Sequence, residues 1–345
     1  MRALLHMLLG LGAFFAVSAG VRAAIPMPAE FGLRAKLDYF TAHADEFDAV
    51  FIGSSRVFRD IRPALLDSEL DRAGIEFRSF NFGIGGMEDF EADHILRAVL
   101  DVAGERLQWV FIEAGRWDPR SEEETVFMSK RFVEWHTLTN ARALVESILA
   151  LDEPMKTRAK LLHKHAALCA ARFVANGRGP DLWKYLQGNA GHLANMDKRN
   201  LSEAELDLER GWQAIDEEGA GLDGKKWRAQ VKNLIAGETE GATAGRASLR
   251  RLPVSAIERQ VEYVEAHIPN LIYLSLPSLR KTTFARTMAR LEIYPKFQSY
   301  ALPSQSPELY ELKHRADSNH LNAAGAARLT KLIARDLMER IRKVR

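Results

Sequence analysis

The chain is predicted to fold as a three-layer α/β/α domain with a parallel central sheet. Short, mostly apolar runs alternate with helical patterns between residues 48 and 114. These runs lack the polar alternation of a half-exposed strand, as expected where helices cover both faces of a sheet. Their βαβαβ order favours parallel strands joined by right-handed crossovers.

The apolar runs and helical patterns place the individual elements. The predicted strands are Asp48–Ile52, Phe77–Phe82, Leu107–Ala114 and, much later, Leu271–Leu276. The predicted helices are Pro63–Ala73, Asp89–Val102, Val254–Ala266 and a final helix from Ala323 to about Arg342, with Asn322 as its N-cap.

The region from about residue 120 to 250 breaks this rhythm, because it contains no convincing strand. It holds helical stretches at Leu144–Leu151, Met155–Val174, Glu203–Ile215 and Trp227–Ile235, and a link rich in Gly, Ala and Thr at Gly237–Ala247. We therefore predict a helical insertion between the third and fourth strands, within one α/β domain that covers residues 24–345.

Composition excludes some function classes. The chain has 345 residues, of which 47% are hydrophobic, so it can bury a sizeable core. Its net charge of +2 gives no electrostatic case for nucleic-acid binding. Cys169 is the single cysteine, so an intrachain disulfide is impossible.

Residues 1–23 are typical of a secretory signal peptide or of an N-terminal membrane anchor. Arg2 precedes an apolar stretch that runs from Ala3 to Val21, and Val21-Arg22-Ala23 has the small residues that a signal peptidase reads. The stretch is also nearly long enough to span a bilayer. Either interpretation predicts an exported protein, periplasmic or anchored facing the periplasm, and the second associates it with a membrane.

Three distant segments predict one active site. Gly53-Ser54-Ser55 follows the first strand, Asn81-Phe82-Gly83-Ile84-Gly85-Gly86 ends the second, and Asp317-Ser318-Asn319-His320 precedes the last helix. Sites in parallel sheets lie at the carboxyl ends of strands. A serine, a histidine and a carboxylate can form a nucleophilic triad, and backbone N–H groups of a glycine loop can stabilise an oxyanion. We therefore predict Ser55 as nucleophile, His320 as base and Asp317 as its partner, with the Ser55 and Gly86 N–H groups as oxyanion donors.

These segments resemble sequence blocks of the SGNH/GDSL hydrolase superfamily. Phe51-Ile52-Gly53-Ser54-Ser55 is similar to its Gly-Asp-Ser block, with Ser54 in place of the aspartate, and the glycine loop is similar to the second block. Asp317-Ser318-Asn319-His320 is similar to the Asp-x-x-His block. The resemblance implies a flavodoxin-like sheet and acyl-ester chemistry. The Gly-Ser-Ser-Arg variant with an export signal looks like envelope members that handle cell-surface acyl groups.

The segment Glu113-Ala114-Gly115-Arg116-Trp117-Asp118 falls where the third block, Gly-x-Asn-Asp, belongs. Trp117 stands at the position of the asparagine that normally completes the oxyanion hole. Either its indole N–H replaces that donor, or the ring packs elsewhere and the hole has two donors. Loss of one donor lowers the rate by roughly 10²–10³-fold.

The predicted function is serine-dependent acyl-ester hydrolysis or acyl transfer outside the cytoplasm, on acylated carbohydrate or cell-envelope material. The alternative is an exported, non-catalytic scaffold or binding module that kept the fold and lost the oxyanion hole. No cofactor or metal is expected, and His163 and His165 are interpreted as surface residues of a basic helix. Two further sets have a functional and a plainer interpretation: stacking on sugars or core packing for Trp135, Trp183, Trp212 and Trp227, and substrate steering or a solvated loop for Arg56, Arg59 and Arg62.

Overall fold

The computed structural model describes residues 2–25, 32–120, 129–187, 202–215, 222–240, 254–279, 294 and 296–344. The strands are β1 (Ala49–Gly53), β2 (Ser79–Gly83), β3 (Trp109–Glu113), β4 (Asn270–Ser275) and β5 (Phe297–Ser299). The helices up to residue 150 are α1 (Arg2–Ala24), α2 (Leu33–Ala42), α3 (Ser55–Asp60), α4 (Pro63–Arg72), α5 (Asp89–Asp101), α6 (Lys130–Glu134) and α7 (Leu138–Ala150). The later helices are α8 (Met155–Phe173), α9 (Gly179–Leu186), α10 (Glu203–Glu209), α11 (Gly224–Glu240), α12 (Val254–Glu265) and α13 (Ala323–Val344).

The five strands form one parallel sheet in the order β2-β1-β3-β4-β5. This is the flavodoxin-like order, and it confirms the predicted α/β fold class. Ile52 of β1 pairs with Phe82 of β2 on one side and with Ile112 of β3 on the other. Every residue of β1, β2 and β3 is buried, as the apolar character of these strands requires. Their carboxyl ends therefore meet at one edge.

Most predicted elements of the sheet region are confirmed to within one or two residues. The last helix begins at Ala323, and the Asn322 Oδ1 caps it by accepting the Gly325 N–H at 3.0 Å. Its apolar stripe is buried at Leu329, Ile333 and Leu337. Helices α2 and α3 and strand β5 lie outside the predicted elements, and α3 and β5 have only six and three residues and show no periodicity.

The chain divides into two compact units. Residues 1–35 and 119–200 form one, here called the helical unit, and residues 36–118 and 201–345 form the other, here called the sheet unit. The predicted insertion at 120–250 is thus shared between the two units. Its described residues contain helices and no strand, and α11 extends into the predicted link as far as Glu240. Residues 241–247 of that link lie outside the described residues.

Helix α1 has 23 residues and is long and apolar enough to cross a membrane. Within the described part of the chain, it is the one helix that meets this test. Its large apolar side chains from Leu4 to Val17 are exposed. These properties fit a signal peptide or a membrane anchor, as the sequence predicts.

Candidate active site

Strand β1 delivers two serines to the start of helix α3, and the structure gives them different environments. Ser54 is the N-cap, and its hydroxyl accepts the Arg56 N–H at 3.4 Å. Ser55 is the first helical residue, and its Oγ lies 2.8 Å from His320 Nε2. A Cβ at the preceding Gly53 would lie 2.4 Å from the Val57 side chain, so this tight turn requires glycine.

His320 connects Ser55 to a carboxylate. Its Nδ1 lies 2.7 Å from Asp317 Oδ2, and this contact requires an Nδ1–H because the carboxylate oxygen can only accept. In the neutral imidazole, Nε2 then carries a lone pair and can accept the Ser55 O–H. The structure thus brings together the three residues predicted from Gly-Ser-Ser and Asp-x-x-His, across 265 positions of sequence between Ser55 and His320.

The Asp317 carboxylate is held in its charged form. Partial burial acts to raise its pKa, but the hydrogen bonds it accepts outweigh burial and lower that pKa to about 2. Besides the His320 ring, the donors are the Asn319 N–H at 2.6 Å and the His320 N–H at 2.9 Å, both to Oδ1. The short Asp-x-x-His spacing supplies all three donors within one turn.

The segment after β4 and the side chain of Arg315 hold this turn in place. The Ser278 hydroxyl donates to Asn319 Oδ1 at 2.9 Å, and the Leu279 N–H donates to the Ser318 carbonyl at 3.1 Å. Arg315, which is fully buried, donates from Nε to the Asp317 carbonyl at 3.2 Å. Three separate contacts therefore fix where the imidazole points.

Asp60, the last residue of α3, makes a second link between the nucleophile helix and the histidine turn. Its Oδ1 accepts the Leu321 N–H at 2.9 Å, and the side chain is fully buried. Burial raises the pKa of Asp60 to about 7, although Arg315, His320 and Arg56 nearby favour its charged form. The six-residue helix thus holds the histidine turn at both ends.

Glu113 and Arg56 form a buried ion pair behind the nucleophile. Each side chain is 6% exposed, and Glu113 Oε2 also accepts the Ser54 N–H at 2.7 Å. The Arg56 guanidinium therefore pairs with a carboxylate at the end of β3. Arg59 donates to the Gln213 and Ala214 carbonyls, and Arg62 lies over the Trp212 ring. Burial of Arg56 makes the solvated-loop interpretation wrong for that residue, whereas Arg59 and Arg62 are half-buried.

The glycine loop after β2 packs directly on helix α3. A Cβ at Gly83 would lie 2.1 Å from the Phe58 backbone nitrogen, so no other residue fits there. The buried Asn81 amide donates to the Val57 carbonyl at 2.7 Å and the Ile61 carbonyl at 2.8 Å. Gly86 is exposed and has φ +69°, a left-handed conformation that favours glycine.

Two N–H groups at this edge are available to a ligand. Within the described chain, neither the Ser55 N–H nor the Gly86 N–H donates to a protein acceptor. The Ser55 N–H also belongs to the first turn of a helix, where backbone donors have no intrahelical partner. These are the two backbone donors that the sequence predicts for an oxyanion.

Lys36 binds backbone carbonyls at the start of the glycine loop. Its buried ammonium donates to the carbonyls of Asn81 at 2.9 Å, Gly83 at 2.7 Å and Gly211 at 2.7 Å. Burial acts to lower the pKa of Lys36. Three carbonyl acceptors nevertheless match the three N–H groups of a charged ammonium, so we assign the charged form. The sequence carries no signal for this contact.

The structure gives both N–H groups of Trp117 partners other than an oxyanion. Its backbone N–H donates to Asp89 Oδ2 at 2.7 Å, and its side chain hydrogen-bonds the Tyr294 hydroxyl. The ring is 4% exposed and packs edge-to-face on Phe90 at 5.2 Å. Because an indole has one N–H, this arrangement corresponds to the predicted alternative in which the ring packs elsewhere.

Outside the site, the candidate side chains have varied environments. Trp135, Trp212 and Trp227 are buried, whereas Trp183 is 64% exposed. His163 is exposed as predicted, but the surface interpretation of His165 is wrong, because that residue is 4% exposed. No group of three or more His, Cys, Asp or Glu side chains among the described residues could hold a metal ion.

The geometry supplies a polarised hydroxyl, a base with a carboxylate partner, and two backbone donors at one sheet edge. Such an arrangement can attack a carbonyl carbon and stabilise the anion that results. No family model, curated protein or solved structure matches this chain.

Proposed function

We propose that the protein is a serine-dependent acyl-ester hydrolase or acyltransferase of the SGNH type. The observation that carries the proposal is the continuous hydrogen-bonded chain from Ser55 Oγ through His320 to Asp317, with distances of 2.8 and 2.7 Å. The resemblance of the Gly-Ser-Ser, glycine-loop and Asp-x-x-His segments to that superfamily supports it. The flavodoxin-like strand order is compatible with it.

The first half of the reaction forms an acyl-enzyme. Ser55 Oγ attacks the ester carbonyl while His320 Nε2 takes its proton, and Asp317 stabilises the resulting imidazolium. The tetrahedral oxyanion receives hydrogen bonds from the Ser55 and Gly86 N–H groups. The intermediate then collapses, His320 returns the proton to the leaving oxygen, and the alcohol departs.

The second half releases the acyl group. A water or a carbohydrate hydroxyl gives its proton to His320 and attacks the acyl-enzyme carbonyl, and the same N–H groups stabilise the second oxyanion. Collapse breaks the acyl bond to Ser55 Oγ, His320 returns the proton to that oxygen, and the acid or the new ester leaves. Hydrolysis and transfer use the same residues and differ only in the acceptor.

The proposed site of action is outside the cytoplasm, on acylated carbohydrate or other envelope material. Arg2 before an apolar segment favours a cytoplasmic N-terminus, which places the rest of the chain on the other side of the membrane. We further propose that α1 is retained as an anchor. Its last turns pack into the helical unit, where Ser18 is 4% exposed and Ile25 is 2% exposed.

A second candidate is a non-catalytic binding module. The observation that favours it is the engagement of both Trp117 N–H groups elsewhere. A hole with two donors is expected to lower the rate by roughly 10²–10³-fold relative to one with three donors. Turnover on a simple ester separates the two candidates.

The test is hydrolysis of p-nitrophenyl acetate by purified protein, with Ser55→Ala and the matched control Ser54→Ala. We expect turnover by the wild type and by Ser54→Ala, and background rates for Ser55→Ala. The control loses one helix cap, which costs about 1 kcal/mol of stability, so a thermal melt confirms that it is folded. Equal rates for wild type and Ser55→Ala would instead favour the binding module. Adding a carbohydrate acceptor and detecting its acylated product distinguishes transfer from hydrolysis.

A further inference from the structure

The end of helix α1 is built into the helical unit. The Ile25 N–H donates to the Val21 carbonyl at 3.0 Å, so the helical hydrogen bonding continues to Ile25. The Ile25 carbonyl in turn accepts a hydrogen bond from Arg178, a side chain 5% exposed. Arg178 also pairs with Glu134 at 3.2 Å. The direction of α1 is therefore fixed relative to the helices that follow it in this unit.

An aromatic contact extends this packing along α1. The rings of Phe15 and Phe173 have centroids 5.2 Å apart, and both side chains are otherwise exposed. Phe15 lies six residues before Val21, which corresponds to about 9 Å along a helix. If the apolar stretch of α1 occupies a bilayer, Phe173 at the end of α8 lies in the outer part of the hydrocarbon, beside Phe15.

The exposed side of α8 changes character along its length. Helix α8 contains no acidic residue. Its first half exposes Lys156, Lys160 and His163 together with Met155 and Ala159, and the exposed positions after His163 are apolar as far as Phe173. The next helix, α9, exposes Trp183 at 64% and Leu186 at 68%. Lys156, Lys160, Phe173, Trp183 and Leu186 are here called the α8–α9 face.

We propose that the α8–α9 face rests on the anionic surface of the bilayer that holds α1. The inference depends on the retained anchor of the proposed function. Its apolar end is continuous with the membrane-length helix through Phe15 and Phe173, and its basic end matches lipid phosphates. Tryptophan is enriched at membrane interfaces, where its ring is apolar and its N–H stays hydrated. A soluble protein partner would explain the apolar positions but not their continuity with α1.

The tryptophans of the chain provide a direct test. Five of the six are buried, at 2 to 8% exposure, and Trp183 alone is exposed. The full chain is reconstituted into phosphatidylcholine–phosphatidylglycerol vesicles, with or without bromine atoms on the acyl chains near the headgroups. We expect brominated lipid to quench part of the tryptophan emission, and the quenched part to be absent in Trp183→Phe.

Charge reversal tests the basic end of the face. Lys156→Glu combined with Lys160→Glu should reduce the ratio of docked to undocked protein by at least about fivefold per lysine, seen as weaker quenching of Trp183. High salt should have the same effect on the wild type. Ser55→Ala should be quenched like the wild type, so loss of the proposed catalysis would not affect this result.

Flotation of the vesicles separates the possible failures. Protein that floats with an intact N-terminus but shows no quenching of Trp183 would overturn the docking proposal. Protein that does not float, or that lacks α1 after export, would overturn the anchor on which the proposal rests. Neither result would bear on Ser55.

Discussion

The chain places histidine rings in hydrogen-bonded contacts in both of its units, and the two arrangements differ in their partners. In the sheet unit, His320 lies between the Ser55 hydroxyl and the Asp317 carboxylate, with its side chain 19% exposed. In the helical unit, His136 Nε2 lies 2.9 Å from His165 Nδ1, and both residues are buried. The outer nitrogens of that pair face the Phe132 carbonyl at 2.9 Å and the Pro119 carbonyl at 3.1 Å.

The two arrangements differ in whether a carboxylate lies beside the imidazole. A carboxylate beside Nδ1 stabilises the cation that forms when Nε2 takes a proton, and His320 has that partner. The ring nitrogens of the buried pair face each other and two backbone carbonyls. Burial lowers the pKa of His136 to about 3 and that of His165 to about 4. Two neutral rings carry one N–H each, two in total, which is one fewer than the three nitrogen contacts of the pair. Burial opposes protonation of either ring to supply the third N–H. The pair is therefore a structural feature of the helical unit.

The largest expected difference between the two arrangements is in catalysis. His320→Gln should lower kcat/KM by about 10⁴-fold or more, because His320 Nε2 is the nitrogen that lies within hydrogen-bonding distance of Ser55 Oγ. His165→Gln is the matched control, since glutamine keeps a donor for the Pro119 carbonyl and cannot ionise. Its kcat/KM should stay within about threefold of the wild type. Initial rates on p-nitrophenyl acetate measure kcat/KM for both variants. Equal losses in the two variants would contradict the proposal that only His320 acts as the base.

The next largest effect is expected at the carboxylate. Asp317→Asn should reduce kcat by roughly 10³–10⁴-fold with a small change in the melting temperature, because the amide keeps the acceptor for the turn but loses the charge. The Asp317 pKa of about 2 also means that its own titration does not appear in a pH–rate profile above about pH 3. A pH–rate profile and a thermal melt check the two statements. Full activity in Asp317→Asn would show that His320 needs no carboxylate.

Much of this arrangement could be predicted from the sequence, for two physical reasons. Strands covered on both faces are apolar along their whole length, so β1 to β4 stand out, whereas the three-residue β5 is too short to do so. The Asp-x-x-His spacing is local, so one turn brings Asp317 beside His320. The contacts that orient this turn and the start of helix α3 join distant segments. Asp60 and Leu321 are 261 positions apart, and Ser54 and Glu113 are 59 apart, and no local pattern records either contact.

Asp60 tests the site through the pH dependence of stability. Its folded pKa of about 7 is raised above the value of about 3.9 expected for an unfolded aspartate, because the carboxylate loses hydration on burial. Between these values the folded state binds more protons, so the contribution of Asp60 to stability falls as pH rises. Asp60→Asn should therefore gain stability relative to the wild type from pH 4 to pH 8. Urea unfolding at several pH values measures this difference, and a constant difference would contradict the raised pKa.

The smallest expected effect belongs to Trp117. Trp117→Phe keeps most of the ring volume and loses the hydrogen bond to Tyr294, so the free energy of unfolding should fall by about 1 kcal/mol. If the oxyanion hole has two donors, kcat/KM should change by less than about threefold, against the roughly 10²–10³-fold loss expected for removal of a donor. Ester turnover and urea unfolding of the variant distinguish the two cases. A large loss of kcat at unchanged stability would indicate that the Trp117 indole N–H donates to the oxyanion as a third donor.

The central claim is that His320 and Asp317 activate Ser55 as a nucleophile, and a covalent probe tests it most directly. Folded protein is treated with a fluorophosphonate, digested, and the modified residue is identified by mass spectrometry. We expect a single adduct on Ser55 that is lost in Ser55→Ala and in His320→Gln and is retained in Ser54→Ala and His165→Gln. An adduct on Ser54, or labelling of Ser55 that is unchanged by His320→Gln, would contradict the claim.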